Sequence, residues 1–232
     1  VTLSVTPIAG IGEVHEGDDL ATLILSALPT SGIALRDKDV VVVTHKVVSK
    51  AEGAVEPYED EHEYRGIVER ESSTVIRRRG DLTISITRQG FICANAGVDR
   101  SNVQPGRAVL HPRNPDRSAH RLRRRFEHET GTRLAVIITD TFGRAWRRGL
   151  TDVAIGVSGI APLLDYRGTV DTWDRRLEVT EVAIVDEIAA AADLVMGKAD
   201  NIPAAVVRGL TWVPGEGRAT DLVRPPEEDL FR

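Results

Sequence analysis

Short continuous apolar runs and longer helical stripes alternate along this chain, the pattern of buried strands interleaved with surface helices. Residues 1–8 place Val1, Leu3 and Val5 on one side of an extended segment that stops at Pro7 and Gly10. Asp18 or Asp19 then caps a helix running to about Leu28, closed by Pro29 and Gly32. Residues 39–44 hold four consecutive valines, the pattern of a central strand covered on both faces. Residues 135–139 form a second buried run, ending at Asp140 and Thr141. Between these runs, residues 59–79 carry Tyr64, Ile67, Val68, Val75 and Ile76 as one stripe of a surface helix, with Arg77, Arg78 and Arg79 in its last turn before Gly80. Residues 82–87 alternate as a strand, and residues 91–94 return as its partner.

The second half continues in the same way. Residues 114–131 read as an amphipathic helix, with Asp116 as its cap, Ala119, Leu122 and Phe126 inward and Gly131 past its end. Its Arg121, Arg123, Arg124 and Arg125 form a solvated face. Residues 154–164 are apolar, and Gly156 and Gly159 permit close backbone packing. Residues 180–197 form the most regular helix, capped by Thr180 and ended by Gly197. Residues 204–207 make a last short strand, and residues 215–218 a turn whose Glu216 either reaches a metal or caps a helix.

Composition narrows the function classes. With 232 residues, 41% hydrophobic and 28% charged, the chain can bury a sizeable core as one large domain or two small ones. A formal net charge of -5 argues against wrapping a nucleic-acid backbone, despite local arginine clusters. No run approaches the roughly 18 consecutive apolar residues of a membrane span, and the N-terminus lacks a basic-then-apolar signal pattern. The single cysteine, Cys93, sits in an apolar run and fits a reducing compartment, so a cytoplasmic protein with a buried thiol is expected. Lys38, Lys46, Lys50 and Lys198 are the only lysines.

Three polar clusters follow apolar strands, where open α/β architectures bind ligands. Asp140 and Thr141 offer hard oxygen ligands to Mg²⁺ or Mn²⁺, and Arg144, Arg147 and Arg148 offer planar forks for phosphate or carboxylate. An ordinary strand end with a solvated basic loop is the competing reading. His45, Lys46, Ser49 and Lys50 could place an ammonium on a phosphate or form a polar turn. Asp99 and Asn102 follow Gly97 in a segment that is either a structural Asx loop or a ligand loop. Asp99 and Asp140 together could share one or two ions. No GxxxxGK[ST] phosphate loop occurs, and the segment beginning at Gly10 has His15 where a dinucleotide fingerprint needs its last glycine, so P-loop and Rossmann folds are rejected.

Four blocks in order, VVVTHKVVSKAEG at 41–53, AGVDRSNV at 96–103, ITDTFGRAWRRGLTDVAIG at 138–156 and VTEVAIVDEIAAAADLVMGKA at 179–199, resemble the coenzyme F420-0:γ-glutamyl ligase family. The likeness extends from the loop at Glu13 to residues 222–225, and it resembles either a stand-alone ligase or the N-terminal half of a bifunctional member. The resemblance implies a family-specific α+β ligase fold of mixed sheets with flanking helices and a single catalytic unit, with about 85–165 as a second lobe. It implies a GTP-dependent enzyme that adds L-glutamate to coenzyme F420-0 and then further γ-linked glutamates. Mg²⁺ or Mn²⁺ is the implied cation, K⁺ a further candidate ion, and a homodimer the implied assembly. Carried onto matching positions, it puts metal ligands at Asp99, Asp140 and Thr141, with Glu216 as a second-metal ligand. Nucleotide contacts fall on Ile11, Gly12, Glu13 and Val14, on His45, Lys50 and Asn102, and on the turn Gly215, Glu216 and Gly217.

The residues suit that chemistry. A carboxylate and an amine do not condense in water, so a ligase first moves the γ-phosphoryl of GTP onto the acceptor carboxylate, and glutamate's amine then displaces phosphate. Asp140 as metal ligand, Lys50 on the phosphates and Arg144 on the acceptor are the expected catalytic groups. A metal-dependent phosphohydrolase and a non-catalytic nucleotide-binding module are the alternatives, and neither would transfer glutamate.

Overall fold

The computed structural model describes residues 2–229, so Val1 of the first expected strand lies outside the described residues. In chain order the elements are β1 (Ser4–Pro7), α1 (Leu20–Ala27), β2 (Val40–Thr44), α2 (His45–Ala51), β3 (Val55–Pro57), α3 (Glu61–Glu71), β4 (Ser72–Arg79), β5 (Leu82–Thr87) and β6 (Ile92–Ala94). They continue as β7 (Arg107–Val109), α4 (Pro115–Thr130), β8 (Ala135–Arg144), β9 (Arg147–Ser158), β10 (Leu164–Asp165), β11 (Glu181–Val182), α5 (Ile184–Met196) and β12 (Ala204–Arg208). The fold is α+β with mixed sheets, as the resemblance implied.

The four valines of β2 are completely buried at the centre of a five-stranded sheet of order β1-β12-β2-β8-β9. Such a strand needs apolar side chains on both faces, which explains a run without alternation. β12 pairs with it antiparallel, and β8 pairs with it parallel from Val40↔Ala135 to Thr44↔Thr139. A second, smaller apolar cluster gathers Tyr64, Ile67 and Val68 of α3 with Val98, Ala108 and Leu110. The smaller unit is therefore drawn from the middle of the chain, whereas β8 and β9, inside the span 85–165, belong to the main sheet.

Local signals explain most boundaries. The Asp19 carboxylate accepts the Thr22 N–H and hydroxyl, capping α1 as expected. Gly131 ends α4 with φ 69, a left-handed conformation that glycine adopts without a Cβ penalty. Three expectations change. The helix expected over 59–79 stops at Glu71, and β4 pairs with β5, because the Ser-Ser-Thr-Val-Ile run favours extended backbone. Val75 and Ile76 are consequently exposed, and Arg77, Arg78 and Arg79 lie on a strand. Asn114, not Asp116, caps α4 by accepting the Arg117 N–H; Asp116 instead accepts the N–H groups of Val157 and Ala219 and ties the helix to β9. Thr180 precedes β11, and α5 starts at Ile184 behind Ala183, with Asp186 and Glu187 in its first turn to complement the helix dipole.

Gly156 fulfils its expected packing role. A Cβ there would lie 2.6 Å from the Pro115 carbonyl carbon and oxygen, so only glycine lets α4 sit this close to β9.

Candidate active site

β2 ends at Thr44 and turns directly into α2, but its neighbour β8 runs on. Beyond Thr139 only β9 still pairs with β8, and the two strands leave the sheet as a hairpin out to Arg144 and Arg147. Asp140 is thus the first β8 residue past the central strand, within a hairpin rather than at a strand end. A bulge falls here, since Ile138 pairs with Gly156 and Thr139 with Ala154. Bulges re-aim side chains beside sites of this kind.

Successive strand residues face opposite ways, and this separates the two expected ligands on β8. Asp140 turns toward His111, whose Nε2 is 2.7 Å from Asp140 Oδ2, and toward His45, whose Nε2 is 3.2 Å from Oδ1. Thr139 and Thr141 turn the other way, each donating its hydroxyl to the Asp152 carboxylate at 2.9 and 2.6 Å. There the Lys198 ammonium donates to Thr141 Oγ1 at 2.7 Å, Asp152 Oδ1 at 3.0 Å and Asp193 Oδ1 at 2.7 Å. Two polar clusters therefore flank one strand.

Electrostatics differ between them. Burial pushes the Asp140 carboxyl up, but the two imidazoles beside it outweigh that and hold it well below the usual carboxylate range. Around Lys198, burial lowers the ammonium, while Asp193 and Asp152 raise it more, so the net direction is upward. Asp99 has partners of its own: Lys46 Nζ at 2.7 Å, and the N–H and hydroxyl of Ser101. Burial pushes Asp99 up; Lys46 and Ser101 more than offset this, and its carboxyl falls below the usual value.

A cavity of about 1050 Å³ opens over this region. Its walls include Ile11, Gly12, Glu13, Val14, Lys50 and Asn102, all expected nucleotide contacts, together with Asp140 and Thr141. Lys50 Nζ is paired with Glu13 Oε1 at 2.6 Å. His45 lies buried beneath the wall.

A sequence model described as F420-0:Gamma-glutamyl ligase matches residues 10–209. A coenzyme F420:L-glutamate ligase of Methanothermobacter thermautotrophicus is 44% identical over 99% of each chain. Similar proteins of that name from Methanopyrus kandleri and Archaeoglobus fulgidus are each 42% identical, over 100% and 99% of this chain and 98% and 96% of theirs. The chain belongs to the F420-0:γ-glutamyl ligase family.

Not all of the expected site residues line this cavity. Glu216 and Gly217 line a different cavity, with Arg88, Arg113, His120 and Gly159, because residues 215–217 pack against Ala161 and Pro162. The last loop lining the first cavity is formed by Gly197, Lys198, Asn201, Ile202 and Pro203, between α5 and β12. Arg144, Arg147 and Arg148 lie on the exposed hairpin tip, and none of them lines the cavity. Asp152, Asp193 and His111 were not singled out from sequence. His111 follows an apolar strand and precedes Pro112 with no spacing that marks it, and Lys198 entered only in the count of lysines. Among the described residues no helix is long and apolar enough to cross a membrane.

Proposed function

We propose that this protein is a GTP-dependent ligase that adds L-glutamate to coenzyme F420-0 and then extends it through γ-linkages, with an acyl phosphate as intermediate. The observation that carries the reading is the convergence of Ile11 to Val14, Lys50, Asn102, Asp140 and Thr141 on one cavity in a member of this family. Relatives named coenzyme F420:L-glutamate ligase support the acceptor and the amino acid.

The donor set suits a hard divalent cation. Asp140 reaches the cavity from one face of β8 and Thr141 with Asp152 from the other, so Mg²⁺ or Mn²⁺ would be held by carboxylate and hydroxyl oxygens at the Thr141–Asp152 face, with Asp140 as a separate ligand. When bound, such an ion neutralises phosphate charge and polarises the transferring phosphoryl group. The chain's own groups do the rest. Lys46, Lys50 and Arg107 line the wall as fixed cations for a triphosphate, and Lys198 brings a further ammonium to the opposite face of β8. Lys46 and Lys50 are held by Asp99 and Glu13, so an incoming phosphate competes for both ammonium groups and leaves Asp99 for a cation. Gly12 and its neighbours offer backbone for close approach to the nucleotide.

Supplying F420-0 with an ¹⁸O-labelled carboxylate tests the intermediate: label should pass to inorganic phosphate, and unlabelled phosphate sinks that step. Asp140→Asn should abolish turnover with an unchanged circular dichroism spectrum; retained activity removes Asp140 from the site. The homodimer that the resemblance implies would cover the β8–β9 hairpin, where Trp146 is 87% and Leu150 68% exposed. Sedimentation of a Trp146→Asp, Leu150→Asp variant should yield monomer, and an unchanged dimer moves the interface elsewhere.

A further inference from the structure

We propose that His45, His111 and Asp140 form a nitrogen-rich site for a first-row transition cation of the Mn²⁺, Fe²⁺, Co²⁺ or Zn²⁺ class, and that this cluster selects such an ion over Mg²⁺. The inference deepens the reading above and rests on it only for the presence of an ion at Asp140.

The three side chains come from separate parts of the chain: the first residue of α2, the segment after β7, and β8 just beyond its bulge. One ligand atom from each lies within 4.8 Å of the other two, a spacing that a single cation can bridge. The two imidazoles stand edge to face, with centroids 5.0 Å apart and planes at 85°, so they approach the carboxylate from different directions. Each histidine side chain is only 1% exposed.

Hydrogen bonding leaves this cluster incomplete. His45 Nε2 is near Asp140 Oδ1 but off the hydrogen-bonding direction. Among the described residues, both ring nitrogens of His45 and Nδ1 of His111 are buried without a hydrogen bond. Buried polar atoms are normally satisfied, and a buried His45 Nε2 that faces the Asp140 carboxylate at 3.2 Å without a hydrogen bond indicates a partner of another kind. The pocket around His111 is also shaped for its ring. Phe142 stacks on it at 6.3 Å and 25°, and Phe91 meets it edge-on at 6.3 Å. A Cβ on Gly97, whose φ is 71, would lie 2.2 Å from His111 Cε1 and Nε2, so the loop before Asp99 is glycine where the imidazole needs room.

The ligand chemistry selects the ion. Mg²⁺ demands octahedral oxygen coordination and keeps its waters, whereas first-row transition ions accept imidazole nitrogen, least strongly at Mn²⁺ and more strongly toward Zn²⁺. Two imidazoles and one carboxylate leave coordination positions open on the side where Asp140 lines the cavity, available to water or a phosphate oxygen.

Pulsed electron paramagnetic resonance of the intact protein with one equivalent of Mn²⁺ reads the ligands directly. The proposal predicts ¹⁴N couplings from imidazole that change to ¹⁵N couplings on histidine labelling, and at least a hundredfold preference for Mn²⁺ over Mg²⁺ in competition. His111→Phe should weaken Mn²⁺ binding at least tenfold while leaving Mg²⁺ binding alone, with circular dichroism reporting the fold. Bound Mn²⁺ with no nitrogen coupling in the unsubstituted protein overturns the proposal, as does equal affinity for the two ions. Ligase activity is scored separately. Glutamyl transfer with an oxygen-only Mn²⁺ site defeats this inference alone, and nitrogen-bound Mn²⁺ without transfer defeats the proposed function alone.

Discussion

Replacing Gly156 by alanine tests the packing that fixes β9 beside the site. The added Cβ would lie 2.6 Å from the Pro115 carbonyl carbon and oxygen and 2.8 Å from its Cβ. Ordinary carbon contacts fall at roughly 3.5–4.0 Å, so the backbone at the start of α4 must retreat by about 1 Å. Overpacking of this kind costs about 1–3 kcal/mol. The retreat also stretches the bonds from the Val157 and Ala219 N–H groups to Asp116, each worth about 1.5–3 kcal/mol when intact. A total near ~3 kcal/mol is expected, and at about 2–4 °C per kcal/mol the melting temperature should fall by roughly 6–12 °C. Gly143→Ala is the internal control: its nearest neighbour, a Leu150 methyl, is 3.9 Å away and its φ is not positive, so it should be neutral or gain up to about 1 kcal/mol. Urea unfolding followed by circular dichroism measures both. A Gly156→Ala protein within about 0.5 kcal/mol of the parent, or a Gly143→Ala protein equally weakened, refutes the argument.

Further predictions concern charge and the thiol. Lys50→Ala should raise the KM for GTP at least tenfold, about 1.4 kcal/mol of binding, with little loss of stability because its partner Glu13 is 67% exposed; an unchanged KM removes Lys50 from the phosphate site. Lys198→Met leaves Asp152, 4% exposed, without its cation. After allowance for the 59% exposure of Lys198 the loss should be about 1 kcal/mol, and millimolar Mg²⁺ should restore it; destabilisation that Mg²⁺ does not relieve contradicts the account. Burial, with the nearby Asp140 charge, pushes the Cys93 thiol up to about 12. The raised value keeps the thiol protonated at ordinary pH, so iodoacetamide at pH 8 should spare the native protein and label it in guanidinium. Rapid native labelling would show the thiol to be accessible.

Legibility varied with the range of the interaction. The β2 run, the Asp19 cap and the Gly131 stop are local, and each could be read from a few neighbours. The 59–79 stripe misled because Val75 and Ile76 continue a helical spacing by coincidence, while their β-branched surroundings favour the strand that forms. Asp116 and Thr180 looked like caps from type and position alone; tertiary partners at Val157 and Ala219 claimed Asp116, and β11 intervened after Thr180. At the site, strand alternation was already implicit in the adjacency of Asp140 and Thr141, and it places them in different clusters. The His45–His111–Asp140 cluster joins positions far apart in sequence, and no local pattern could announce it. Glu216 was placed by a loose match of glycine turns, whereas the cavity takes its last loop from the residues around Lys198.

The most direct measurement is mass spectrometry of the acceptor after incubating the protein with GTP, Mn²⁺, L-glutamate and coenzyme F420-0. The account predicts an acceptor heavier by one glutamyl residue, formed together with GDP and phosphate and only when glutamate is present. Consumption of GTP with an unchanged acceptor, or no consumption at all, contradicts it.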